Sequence, residues 1–233
     1  DAYLYANGKT QNIVAGGLAM YPTHPAIKER IRETAERFKR LGYEYIKIDF
    51  LTHGCAEADY YYDPEVQTGM QAYNKGMAYL LEQMEGMYIT MAISPLFPSQ
   101  YAHSRRIACD AWAGIGDTEY TLNSLTYGWW LNQVYTYNDP DHLLLEPVSD
   151  GENRARITSG VITGIFMNGD DLSYISWIQV AKDKARKFLT NEDINAIAKM
   201  GKSFRPVNGN MDGADFLFMY DTGKEVYLAA FNY

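Results

Sequence analysis

Apolar positions along this chain follow two periods. Between residues 23 and 42, Ile27, Ile31, Ala35 and Phe38 recur every three or four positions among charged side chains. That spacing predicts a helix with one buried stripe. Thr23 is the expected cap, Pro25 falls in the first turn, and Gly42 stands where the helix should end. The pattern then changes: YEYIKIDF (43–50) gathers Tyr43, Tyr45, Ile46, Ile48 and Phe50 into a run that reads as a buried strand, with Lys47 and Asp49 inside it. Helical spacing returns at 69–85, at 117–135, from 153, and at 183–201, the last broken around Thr190 and Asn191. Between these lie strand-like runs at 12–20, 87–94, 105–110, 138–147 and near 162–167. The tail, 214–233, reads as a hairpin joined at Asp221–Thr222–Gly223–Lys224.

Strands alternating with helices predict βα units and a largely parallel sheet. The strand runs are continuously apolar, as expected when helices cover both faces. Carboxylates stand at their C-terminal ends: Asp49, Asp110, and Asp170 with Asp171. In a (β/α)8 barrel that end carries the active site. About six such strands are visible, so either two escape the pattern or the chain begins part-way round a barrel. No internal repeat or low-complexity linker interrupts it, and the one shift in composition, near 202–213, precedes the hairpin.

With 233 residues, 47% of them hydrophobic, the chain can fill one α/β barrel. A net charge of −8 argues against nucleic-acid and anionic-membrane partners. No apolar run approaches the ~20 residues of a membrane span, and no secretory leader pattern opens the sequence at Asp1, so any signal peptide is expected to be absent. Cys55 and Cys109 cannot build a disulfide framework, and His24, His53, His103 and His142 lie far apart, so no metal site is expected. Without a Walker loop or GxGxxG, neither nucleotide nor other cofactor is implied. Twenty tyrosines are unusual. A flat ring with a hydroxyl suits stacking on sugars, although core packing accounts for most such residues.

Two stretches carry candidate chemistry. In Lys47–Ile48–Asp49, alternation puts the ammonium and the carboxylate on one face; a buried salt bridge or a solvent-facing strand end explains an isolated pair equally well. In RRIACD (105–110), Asp110 again ends a strand with Arg106 four positions earlier. Two strand-end carboxylates in one parallel sheet are what a glycosidase requires, one as nucleophile and one as acid/base. The nucleophile must stay ionised, which Lys47 favours, while the acid calls for an apolar setting, which Cys109, Ala111 and Trp112 are placed to supply. Asn138 and Asp139 before Pro140 read as turn chemistry. Asp141 differs because it lies just ahead of a buried leucine run.

YIKIDF, RRIACD, NDPDHLLL and ARITSGVITGIFMNGDDL, in this order, resemble successive blocks of the α-galactosidase (melibiase) group, glycoside hydrolase clan D, families 27 and 36. The resemblance runs from about residue 13 to 171. It implies a retaining mechanism on a (β/α)8 TIM barrel of which strands three to eight are present. Residues 1–201 would form the barrel, and 202–233 the start of a C-terminal antiparallel β domain. It further implies Asp49 as nucleophile, Asp110 as acid/base, and Lys47, Arg106 and Asp141 as substrate-binding residues, with Arg106 at the sugar's 2-position. A carbohydrate substrate is implied, with no cofactor and no metal, and a secreted, periplasmic or lysosomal home is usual for the group. The two carboxyl groups of a retaining pair should stand about 5–6 Å apart. The chain departs from the group after Asp49, where Phe50–Leu51–Thr52–His53 stands, after Asp110, and in the 95–104 loop. The sugar is therefore open among α-galactoside, N-acetylgalactosaminide, β-L-arabinopyranoside and α-glucan. A non-catalytic carbohydrate-binding module is the alternative reading; a lyase or aldolase using Lys47 as a Schiff base ranks last.

Overall fold

The computed structural model describes residues 1–11, 16–145, 147–173, 178–209 and 213–232. They form two compact units, 1–103 and 104–233.

The first unit opens with a short hairpin, β1 (Tyr5–Ala6) and β2 (Lys9–Thr10). Its Asn7–Gly8 turn needs positive φ at both positions, +55° and +69°, as a two-residue hairpin loop does. The Asp59 carboxylate accepts from both turn amides. Helix α1 (Pro25–Arg40) follows. Its cap is not Thr23, which is buried, but His24, whose Nδ1 accepts from the Ala26 amide at 3.1 Å. The end is as expected: Gly42 adopts φ +80° and the Tyr43 amide reaches back to the Phe38 carbonyl. Strand β3 (Tyr45–Ile48) runs parallel to β4 (Tyr88–Met91), with α2 (Gly69–Gln83) between them. Ala35 of α1, Tyr73, Met77 and Leu80 of α2, and Ile89 and Met91 of β4 make the core.

Strand β3 departs from its expected burial. Tyr45 is exposed, Ile46, Lys47 and Ile48 are half-buried, and Asp49 and Phe50 are exposed. Among the described residues β3 pairs with β4. The 12–20 run is covered only from Gly16 onward, residues 12–15 lying outside the described ones; Met20 bridges Tyr3 in antiparallel fashion.

In the second unit β5 (Ser104–Arg106) lies parallel to β6 (Tyr137–Asp139), with Arg106 opposite Asp139. The predicted 105–110 strand therefore ends early, four residues before Asp110. Helix α3 (Ile115–Gly128) continues as a 3₁₀ turn through Gln133. The 138–147 run is not one strand. Pro140 cannot donate to a ladder, Asp141 takes φ +70°, and the sheet resumes only as a parallel bridge from Leu143 to Asn168; Glu146 lies outside the described residues. Helix α4 (Asp150–Thr163) takes up the first part of the 162–167 run and ends at Gly164, φ +146°. The break expected near Thr190–Asn191 is present between α5 (Ile178–Phe188) and α6 (Glu192–Met200), where Asn191 caps the second helix.

The tail forms the expected hairpin, β8 (Leu217–Asp221) with β9 (Val226–Ala230). Tyr233 lies outside the described residues. The stretch of shifted composition contributes β7 (Arg205–Pro206), which pairs antiparallel with β8. Leu122 and Leu125 of α3, Ile162 of α4 and Phe218 of β8 share one core, and Leu143, Leu145, Ile157 and Val161 make another.

Candidate active site

In the first unit the candidate groups stand at the exit of β3. Lys47 is opposite Thr90 in the ladder, and Asp49 is one residue past the strand. The Asp49 carboxylate is held by backbone: its Oδ1 accepts from the Phe50 amide at 2.8 Å and from the Ile93 amide at 3.0 Å. Phe50 takes the left-handed conformation, φ +58°. One carboxylate thus joins the ends of β3 and β4 and presents its other oxygen outward.

In the second unit a charged cluster stands where β5 and β6 end. Arg106 is largely buried. Its Nη2 donates to Asp110 Oδ1 at 2.5 Å, its Nε donates to the Ala108 carbonyl at 2.8 Å, and Nη1 lies 3.5 Å from Asp141 Oδ1. Burial disfavours the guanidinium charge, but the hydrogen bond to Asp110 and the charges of Asp141, Asp110 and Asp139 outweigh it and raise its pKa. The apolar setting anticipated for Asp110 is not there. Its side chain is 71% exposed, because Ala111 turns into the interior while Trp112 and Cys109 turn out to the surface.

Asp141 is only 1% exposed. Its Oδ2 accepts from the Ala111 amide at 3.0 Å, next to Asp110, and its Oδ1 lies 3.5 Å from His142 Nδ1. The Asp141 amide in turn donates to Asp139 Oδ1 at 2.7 Å. Asp139 and Asn138 are fully buried in β6. Reading them as turn residues is thereby corrected: N-D-P looks like a turn, yet here Pro140 follows the strand instead of interrupting it.

Arg156, absent from the candidate set, is the largest fully buried side chain of the described residues. It rises from α4 beneath this loop and donates to the carbonyls of Pro140, at 3.0 Å, and His142, at 2.8 Å, and to Ser159 Oγ. Burial pulls its pKa down to about 10 against the opposing pull of Asp141, Asp117 and Asp139. Sequence offered one signal, an arginine in the otherwise small ARITSG face. Asp170 accepts from the Leu145 amide and Asp171 from the Ser173 amide. His103 Nδ1 accepts from the Ile89 amide. Among the described residues no three His, Cys, Asp or Glu side chains could share a metal ion.

Parallel βα units with charged groups at the strand ends, accompanied by a separate antiparallel sheet, match part of a (β/α)-barrel architecture. Solved structures make that class specific. An α-galactosidase from Thermus thermophilus, in complex with p-nitrophenyl α-D-galactopyranoside, superposes at a TM-score of 0.64 and 20% identity over 82% of this chain and 42% of that one. A variant of a family 27 β-L-arabinopyranosidase from Geobacillus stearothermophilus, in complex with arabinose, does so at 0.64 and 12% identity over 94% and 53%. A variant of a family 36 α-galactosidase from the same organism, in complex with 1-deoxygalactonojirimycin, matches at 0.61 and 11% over 98% and 33%. The fold is therefore that of the family 27 and 36 enzymes that the sequence blocks resemble, and the chain spans about half or less of their length. No protein-family profile and no curated protein matches the chain.

Proposed function

We propose that the chain carries the catalytic groups of a retaining glycoside hydrolase acting on terminal α-galactosides. The observation that carries this reading is the cluster near the ends of β5 and β6, where a largely buried arginine pairs with the exposed Asp110 carboxylate and a buried aspartate accepts the neighbouring Ala111 amide. It is a site built outward from a rigid sheet. The described strands correspond in this reading to barrel strands three to eight, with 202–233 opening a β domain.

Asp49 is the nucleophile. Two backbone amides fix its direction. Its carboxylate attacks the anomeric carbon as the bond to the leaving oxygen breaks, and Asp110 delivers the proton that oxygen needs. Water then attacks the glycosyl ester, Asp110 takes the water's proton, and Asp49 is released. Lys47 and Arg106 contact the sugar, and Asp141 orients Arg106. Asp110 must leave its pair with Arg106 to hand over a proton, so the sugar's 2-position takes the guanidinium as Asp110 turns to the leaving group.

A β-L-arabinopyranoside, which matches D-galactose except for the missing hydroxymethyl, is the second reading, supported by the likeness to the Geobacillus arabinopyranosidase. The test is hydrolysis of p-nitrophenyl α-D-galactopyranoside by the chain beside Asp49→Asn, with the β-L-arabinopyranoside in parallel. Turnover is expected in the parent and a fall of at least about 10³-fold in the variant. Binding without turnover across both glycosides, in parent and variant alike, would replace the enzyme with a carbohydrate-binding module.

A further inference from the structure

The loop beneath the proposed acid/base contains a conformation that its own residues do not favour. Asp141 is a non-glycine residue at φ +70°, a position that Asp tolerates better than most residues but that still carries strain. It is fully surrounded, so the strain must be offset by partners. Three are present. The Asp139 carboxylate accepts the Asp141 amide, while Arg156 donates to the carbonyls on either side, of Pro140 and His142. Arg156 forms no ion pair with Asp141; what it grips is the peptide frame that aims Asp141. Asp141 then holds the Ala111 amide and faces Arg106, and those two contacts flank Asp110.

We infer that Arg156 is a positioning residue for the proposed proton donor, acting through the left-handed Asp141 on the backbone and the guanidinium that hold Asp110. The inference deepens the glycosidase reading and, for its catalytic part, rests on it. Burying a guanidinium whose hydrogen bonds go to neutral groups costs far more than burying a neutral side chain at the same place. A helix needing only to cover the sheet is satisfied by an aliphatic residue, as Ile157 and Val161 satisfy it on the same helix. Both carbonyls accept from one nitrogen, Nη2, while Nη1 reaches Ser159 Oγ, a set of donors that no aliphatic side chain provides and that a single lysine ammonium covers only in part.

Two readouts test this on the full chain, comparing the parent with Arg156→Gln and Arg156→Lys. The first needs no activity: amide hydrogen exchange at Ala111, whose N–H is buried and accepted by Asp141. It should accelerate at least about tenfold in Arg156→Gln, less in Arg156→Lys, while amides of β8 and β9 keep their rates. The second is leaving-group dependence. General-acid help is worth about 10²–10⁴-fold and is needed most when the leaving oxygen is basic. Arg156→Gln should therefore lose methyl α-galactoside turnover at least about tenfold more than 2,4-dinitrophenyl α-galactoside turnover, with partial recovery in Arg156→Lys. Loss of structure alone would lower both substrates together. Unchanged exchange at Ala111, or an unchanged ratio between the two substrates, overturns the inference. Should the parent hydrolyse neither glycoside, the glycosidase reading fails by itself and the Ala111 exchange decides whether Arg156 sets this loop. Should Arg156→Gln fail to fold, Arg156→Lys carries both comparisons, with a shift of about threefold expected.

Discussion

A carboxylate can be fixed by backbone amides or by a cation, and single residues of this chain do both. Asp49 accepts two amides, and Asp110 accepts an arginine. Asp215, far from either in sequence, shows what the amide mode contributes to folding. It is buried and accepts from the amides of Asn208, Gly209, Phe216 and Leu217, closing the approach to β8. Burial raises its pKa, but the four amides prevail and hold it below the usual carboxylate value. A carboxyl depressed in the folded state adds stability above its unfolded pKa, about 3.9, and that stability is lost as pH falls through the folded value. Replacing Asp215 by Ala leaves four partly buried amide donors without their acceptor and should cost about 2 kcal/mol at pH 7. Urea unfolding of parent and variant should show the gap narrowing below about pH 4; a gap independent of pH would refute this account of Asp215.

At the scale of elements, helix α4 joins local and distant demands. Ser149 Oγ accepts the Glu152 amide, and the Glu152 carboxylate returns to the Ser149 amide, a reciprocal cap that starts the helix carrying Arg156. Ser149→Ala should lower unfolding stability by about 1 kcal/mol, and an unchanged urea midpoint would mean that packing alone sets where α4 begins. Local signals of this kind made much of the architecture readable from sequence. The stripe of α1, the break at Asn191 and the Asp221–Lys224 hairpin depend only on neighbouring residues. What escaped depends on residues far along the chain. Asp49 looked buried because the run around it is apolar, but among the described residues it lies one position past the end of β3 and is exposed. Asp139 looked like a turn because Pro140 follows it, and Arg156 drew no notice because a polar helix surface and a buried guanidinium are written with the same letters. His24 escaped because an imidazole seldom caps a helix. The candidate residues Lys47, Asp49, Arg106, Asp110 and Asp141 stand out in the sequence as charges within or just after apolar runs, whereas the backbone amides and carbonyls they bond leave no mark in a sequence.

Taken as a whole, the chain combines a parallel βα sheet, a separate antiparallel sheet and a net charge of −8. No helix among the described residues is long and apolar enough to cross a membrane. The fold is shared with galactosidases and an arabinopyranosidase at identities of 20% or lower. At such distance the reaction has to be argued from groups rather than from ancestry. The central claim is a double displacement through Asp49. It is tested most directly by exposing the chain to a galacto-configured cyclitol epoxide, which traps a retaining nucleophile, and mapping the label by peptide mass spectrometry. The account predicts one equivalent of label on the peptide containing Asp49, and none in Asp49→Asn. Label on a different carboxylate, or a first-formed sugar of inverted configuration from an α-galactoside, would contradict it.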